Sequence, residues 1–540
     1  MNFRFWQHRW IRRLTWTFLA LALALVVEVV LESVFLAGWI STRASRNWQD
    51  VQAMLKAEGE TLDFRVLASD PIPDEENFCA IPLLKDLALS VDCDNRKGIP
   101  GKNRARLSAL KLAPKAKGKH FPASSSSLLG RRMDLKAWAE ALRDPGKSST
   151  VSEPGDAAHE VLAALSKHDA TVRELAAGLV RRRAQWTPGD KTRQLPKAIY
   201  FLRLPHSNPI SDARGMLRLR CIADAQAGEI GEAHEAAQIM ARFIEASLDQ
   251  PYVVPHLLGA TGAEALATST WELCDAHAGS AEDFAELEAA LAQLDFRRSA
   301  LRTFRGDLMV IVNLLQAMKD ARGDRAALAA LTSGDIEEAK AFEHFPMRWW
   351  PAAFFDIGST YLADREFRFV IKPLRDEGWR KAIQSAAELE DDIRAAGYKM
   401  WRYPDSTAAE LLLPSNRYIL CRSAITQAMV NQAVIACALE RFRIEKGSYP
   451  ELLDEVKLAS GGPLPMDEMN GKPMGYRKTA NGRYALWSVG FDGKDDGGKR
   501  VVDERKSAMV NLERLRDPGY KGDWVWDFPT DTKAVGEKHE

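Results

Sequence analysis

Three patterns of apolar and polar positions follow one another along the chain. From Leu14 to Val27 (LTWTFLALALALVV) there is no charge; Glu28 and Glu32 interrupt the run, and SVFLAGWI carries it on to Ile40. A stretch of this kind over 14–40 predicts a membrane-spanning helix, since a bilayer core takes ~20 mostly apolar residues. From about Gly155 to Gly397 the spacing becomes three-four, as in Leu217, Cys221 and Ala225 and again in Ala236, Ile239, Met240, Phe243 and Ile244. That spacing predicts helices with one buried face, in a region rich in the good helix formers Ala, Leu, Glu and Arg. A long amphipathic helix is expected from Ser415 to Lys446, with Ile425, Met429, Ala433, Ala436, Leu439 and Phe442 along one side. Gly447 then supplies a helix stop, and SYPELLDEV reads as a short second helix. Beyond it the period drops to two: strand Pro473–Lys478, a type I′ turn at Asn481-Gly482, strand Arg483–Val489. Tyr484, Leu486 and Ser488 are expected on one face of that hairpin, and Ala485, Trp487 and Val489 on the other.

These patterns predict a mainly α protein: an N-terminal transmembrane helix, an extracytoplasmic helical bundle or solenoid, and a C-terminal small α+β module with a β-hairpin. The expected divisions are a cytoplasmic basic tail (1–13), the transmembrane helix (14–40), a juxtamembrane segment (41–94), a basic flexible loop (95–133), a helical domain (134–410) and the α+β module (415–540). Arg4, Arg9, Arg12 and Arg13 precede the apolar run, which by the positive-inside rule puts the N-terminus in the cytoplasm and the bulk in the periplasm of a bacterial inner membrane. Glu28 and Glu32 share a helix face and read either as the outer interface or as a polar contact with a partner helix. DPIPDEENF, from Asp70, reads as a loop because its prolines block a continuous helix. AGEIGEAHEA from Ala227 and SGDIEEAKAF from Ser333 resemble helix-to-helix turns, though two such segments do not make a repeat array.

Charge changes the picture locally. Lys+Arg and Asp+Glu both number 74 in 540 residues, so the global balance names no partner. Between Asn95 and Met133, however, there is no acidic residue and many basic ones. Such a stretch reads as a solvated loop or as a contact for anionic headgroups or a cell-wall polymer. Nucleic acid is disfavoured, because no aromatics interleave with the charges. Six cysteines do not make a disulfide scaffold, and Cys79 and Cys93 read as isolated thiols or as a pair. The motif search excludes more than it finds. His234-Glu235 and His159-Glu160 lack the second histidine of a zinc protease helix, and there is no phosphate loop, nucleophile elbow or paired-cysteine zinc spacing.

The C-terminal segments ALERFRIEKGSYPELLDEV, PMDEMNGKP, YALWSVGFDGKDDGG and GDWVW are more specific in their order. Over roughly Ala433 to Trp526 they resemble the globular part of the major pseudopilin of type II secretion. The resemblance implies a calcium ion in the acidic loop, with Ser488, Asp492, Asp495, Asp496 and Asp523 at the matching positions. Clustered Asp with glycines can wrap such an ion, which takes ~6–8 oxygen ligands; a plain acidic turn uses the same residues. The rest departs from that family: no prepilin cleavage motif opens the chain, and the long helix carries Arg417, Arg422, Gln427, Asn431 and Gln432, so it is not lipid-embedded. The layout as a whole resembles bacterial membrane-anchored envelope proteins.

Two functions are therefore expected to compete. One is a non-catalytic envelope scaffold that binds a protein partner, linked to a secretion or pilus-like system. The other is an extracytoplasmic hydrolase acting on a cell-wall or glycan substrate, whose mark is a pocket holding two carboxylates.

Overall fold

The structure is a computed structural model that describes residues 38–67, 69–88, 102–112, 132–143, 154–186, 206–321, 352–397, 416–499 and 522–528. The chain divides into two compact units. Unit 1 holds Met1–Thr61, Val312–Asp364 and Ile393–Leu412; unit 2 holds Leu62–Ile311, Arg365–Asp392 and Leu413–Glu540. In unit 1, helix α1 (residues 38–57) buries Ala44, Trp48 and Leu55. Lys319 Nζ meets Asp356 Oδ1 at 2.6 Å, and Gln316 Nε2 donates to Ser359 Oγ at 2.8 Å.

The expected membrane architecture is corrected. Among the described residues no helix is long and apolar enough to cross a membrane. Residues 14–37, on which that expectation rests, lie outside the described residues, and 38–40 open the helix α1, which goes on to residue 57. The fold class is accordingly a mainly helical chain with a small antiparallel sheet region, and among the described residues no helix supports the single-pass inner-membrane placement.

In chain order the helices are α2 (Pro82–Ala88), α3 (Lys102–Ser108), α4 (Leu135–Leu142), α5 (Pro154–Leu165), α6 (Asp169–Ala177), α7 (Ser207–Ala227), α8 (Ile230–Leu248), α9 (Val253–Ala276), α10 (Ala281–Ala292), α11 (Phe296–Ala321), α12 (Ala352–Glu366), α13 (Lys372–Asp376), α14 (Trp379–Gly397) and α15 (Asn416–Lys446). A π-helical turn, Phe367–Ile371, joins α12 to α13. Inside the basic stretch, α3 packs on α7 and Leu107 and Leu110 are buried; Cys79 is buried and unpaired, and Cys93 lies outside the described residues. The Ala227 turn is as its glycine suggests: Gly228 takes φ 86° and closes α7 before α8 begins. The second such segment, from Ser333, lies outside the described residues.

Helix α15 lies against α9 and α10 and is the centre of unit 2. The amphipathic reading of this helix fails, because from Ile419 to Glu440 it is buried all round except at partly exposed Arg422. Its polar residues are not a solvent face. Each meets a backbone or side-chain group that would otherwise be unpaired in the core. Gln427 Oε1 accepts the Phe296 N–H at 2.6 Å, and Gln427 Nε2 donates to Asn431 Oδ1 at 2.8 Å. Asn431 Nδ2 donates to Met466 O at 3.2 Å, and Gln432 Nε2 to Trp524 O at 2.7 Å. The Gly-Ser-Tyr-Pro segment ends the helix as its chemistry dictates. Gly447 has φ 82° and donates to Arg443 O at 2.8 Å, while Tyr449 turns back to donate to the buried Glu440.

After α15 the expected second helix is a single 3-10 turn, Leu453–Glu455, which Glu455 holds by accepting the Leu452 N–H at 2.7 Å. Strands β1 (Met466–Asp467) and β2 (Lys472–Pro473) form a small antiparallel pair. Strands β3 (Gly475–Lys478), β4 (Tyr484–Ser488) and β5 (Trp524–Trp526) form an antiparallel sheet in the order β3-β4-β5. The hairpin is present, but its turn is not type I′. Asn481 does not take a positive φ; only Gly482 does, at 75°. Gly482 N bonds Thr479 O and Thr479 N bonds Arg483 O, a three-residue loop with glycine at the bulge. Strand β4 is buried along its whole length. Ala485 and Trp487 cluster with Val525 on one face, and Tyr484 packs edge-on to Tyr449 and Phe528 on the other.

Candidate functional site

The acidic loop follows β4 directly, and its five expected ligands go to three places. Ser488 Oγ donates to Asp467 Oδ1 at 2.8 Å, and Asp467 also accepts the backbone N–H of Val489 at 2.8 Å and of Met469 at 3.0 Å. Asp492 makes a local turn by accepting the Lys494 N–H at 3.1 Å. Asp495, Asp496 and Asp523 are brought together. Asp495 Oδ1 accepts the Trp487 indole N–H and the Gly497 N–H, each at 2.9 Å. Asp523 accepts the N–H of Gly498 at 2.7 Å and of Asp496 at 3.1 Å. Burial holds the Asp523 carboxyl above the usual carboxylate range, partly offset by those amides and reinforced by the Asp495 and Asp496 charges.

Asp495 Oδ1 and the two Asp523 carboxylate oxygens thus face indole and amide N–H groups of the chain itself. Among the described residues no three acidic, histidine or cysteine side chains converge as metal ligands. The loop instead closes over Trp487. A Cβ at Gly475 would come within 2.1 Å of the indole and one at Gly498 within 2.8 Å, so glycine is what lets backbone approach the ring at both places. Asp467, which organises the start of the loop, stands in the quoted PMDEMNGKP segment, but nothing in its spacing there marks it out.

A second site escaped the sequence reading. A cleft of about 490 Å³ lies between Arg132–Lys136, Ala157 of α5, the last turns of α7 (Ile222, Ala225, Gln226) and the end of α9 (Glu272, Leu273, Asp275, Ala276). Its walls are held by helix ends. Asp134 caps α4, its side chain accepting the Ala137 N–H at 2.9 Å. Gly228 ends α7, and His277, the one non-glycine with positive φ among the described residues, ends α9. The His277 imidazole Nδ1 donates to Glu440 Oε2 at 3.0 Å, tying that end to α15.

Two carboxyl groups one helical turn apart define the polar edge of the cleft. Glu272 Oε1 accepts the Met133 N–H at 3.1 Å. Burial outweighs that bond and pushes Glu272 up to about 7. Asp275 is held differently: Arg132 Nε donates to its Oδ2 at 2.5 Å, and Arg483, at the foot of β4, donates to its backbone carbonyl at 2.7 Å. Trp271 Nε1 donates to Asp527 O at 2.9 Å, so the C-terminal segments grip the end of α9 at two points. Ala225, expected in the core, lines this cleft.

Other chemistry-bearing groups are sealed. His256 is fully buried, its Nδ1 2.9 Å from Ser299 Oγ and its Nε2 2.6 Å from Ser423 Oγ. Burial drives it down to about 4, so it stays neutral. Its geometry resembles a serine–histidine pair without solvent access. His234 is buried against Phe284 and bonds Ala278 O at 2.8 Å. Glu160 pairs with Arg143 at 2.6 Å. No protein-family description, no curated protein and no solved structure matches the chain.

Proposed function

We propose that the chain is a non-catalytic binding protein, a helical scaffold whose C-terminal α+β segments brace a ligand cleft. The observation that carries this reading is the cleft at the end of α9, whose polar edge is held by Met133, Arg132 and Arg483 before any ligand arrives. Pre-formed, mostly apolar walls with a few placed polar groups are the usual make-up of a binding site, and fixed walls lower the ordering cost of binding. The pseudopilin resemblance supports a partner in a secretion or pilus-like assembly. A photo-crosslinking residue in place of the exposed Lys136 tests the reading in cells, with the same residue at exposed Val254 as control. A recurrent adduct at the cleft and not at the control is expected; the same products at both positions would refute it.

The hydrolase reading has one observation in its favour. Glu272, near 7, stands one turn from an arginine-paired Asp275 in the same cleft. Carboxyls with environments pushed apart are how acid and base roles are divided. Hydrolysis of a glycan or cell-wall polymer by the purified chain, lost in Glu272→Gln, would establish it; activity that survives that change rules this pair out.

A further inference from the structure

We propose that the cleft binds a compact organic cation, an ammonium or guanidinium group on an apolar body, with the Glu272 carboxylate as its counter-ion. The inference rests on the binding reading above and names the ligand class. Glu272 is 8 % exposed and lines the cleft. One of its oxygens holds the Met133 N–H; the other makes no hydrogen bond among the described residues. A buried carboxylate with an open oxygen gains most from a charged donor.

The surroundings favour positive charge at that spot. Helices α7 and α9 both end at the cleft, and a helix C-terminus carries partial negative charge. The chain itself seats a guanidinium beside Glu272, since Arg132 lies against Asp275 at the same edge. The charged and titratable groups that act on Glu272 are Arg218 and Cys221 on α7, Asp275 on its own helix, and Arg132. Lys136 is exposed at the rim, where solvent screens it. Met133, Ala157, Ile222 and Leu273 supply the apolar wall for the ligand body. A volume of about 490 Å³ admits a ligand the size of an arylalkylamine.

The test is calorimetric titration of the purified full chain with three probes of one shape: phenethylamine, phenethyl alcohol and phenylacetate. The amine should bind about tenfold tighter than the alcohol, with the acid weakest. Glu272→Gln should erase the amine preference over the alcohol, with a melting temperature no lower than wild type. N-acetyl-lysine amide separates the two sources of the cation: binding tighter than that of phenethylamine assigns the site to a partner's lysine side chain, weaker binding to a free amine. An alcohol or acid that binds best in wild type, which needs no variant, overturns the cation assignment and leaves the binding reading standing. Failure of all probes overturns both.

Discussion

Replacing Glu366 by glutamine should change how stability depends on pH, not how the protein folds. Glu366 ends α12 and is 2 % exposed; its Oε2 accepts the Asn416 Nδ2 hydrogen at 2.7 Å. Burial pushes the carboxyl from its ordinary 4.5 up to about 8, against the Asn416 bond and with help from the Asp307 charge. The folded chain thus keeps a proton that the unfolded chain has released by mildly acidic pH. The stabilisation is complete below 4.5 and is lost as pH rises through 8. The gap of 3.5 (8 minus 4.5), at 1.36 kcal/mol per pH unit, gives an upper bound of about 5 kcal/mol lost between pH 4.5 and 9. Glutamine keeps the acceptor for Asn416 and the shape of the protonated acid but has nothing to ionise. At pH 5.5 the variant should match wild type within about 1–2 kcal/mol, and by pH 9 it should be several kcal/mol more stable. Urea midpoints from pH 5.5 to 9, read by circular dichroism, measure both slopes. Asp224, Asp307 and Glu272, each pushed up to about 7, slope the same way and are present in both proteins. Parallel curves for the two proteins would refute the reasoning.

Three further outcomes follow from particular contacts. His206 and His256 are both driven down to about 4 by burial, so the stability they contribute is present above 6.5 and lost as pH falls toward 4; His256→Asn should flatten that acid limb in a urea series from pH 7 down to 4. Gly475→Ala, which places a Cβ within 2.1 Å of the Trp487 indole, should destabilise by about 1–3 kcal/mol, seen as a lower melting temperature with a shifted tryptophan emission. Since amide donors already close the acidic loop, the melting temperature should be the same in millimolar calcium and in chelator; a rise with calcium that Asp523→Asn removes would return the ion to the loop.

How much of this was legible in the sequence depends on whether the signal was local. The three-four spacing of Leu217 and Cys221 and of Ile239, Met240, Phe243 and Ile244 placed α7 and α8, because one buried face is a property of one helix. Gly447, Gly228 and the Asn-Gly hairpin were readable for the same reason, although the turn geometry was not: type I and type I′ loops draw on the same residues. The polar residues of α15 misled, since Gln427, Asn431 and Gln432 look solvent-facing until their partners arrive from Phe296, Met466 and Trp524. The cleft was invisible for the same reason. Glu272 and Asp275 become notable only when Arg132 and Met133 from one remote segment and Arg483 from another are set beside them. Of the five expected metal ligands, Asp495, Asp496 and Asp523 do share one place, held there by the Trp487 indole on Asp495 and by backbone amides of Asp496 and Gly498 on Asp523.

The central position of α15 has a consequence for how the protein is made. A ribosome that has finished Ile311 has delivered the first block of unit 2, α9 and α10 included, yet the helix those two pack against has not been translated. At ordinary synthesis rates the 135 residues from there to Lys446 take roughly seven to thirty seconds. For that interval the faces of α9 and α10 that will meet α15 have nothing to cover them. A nascent chain of this design is a natural client for a ribosome-associated holdase, and truncations ahead of Asn416 should aggregate instead of accumulating as a smaller folded protein.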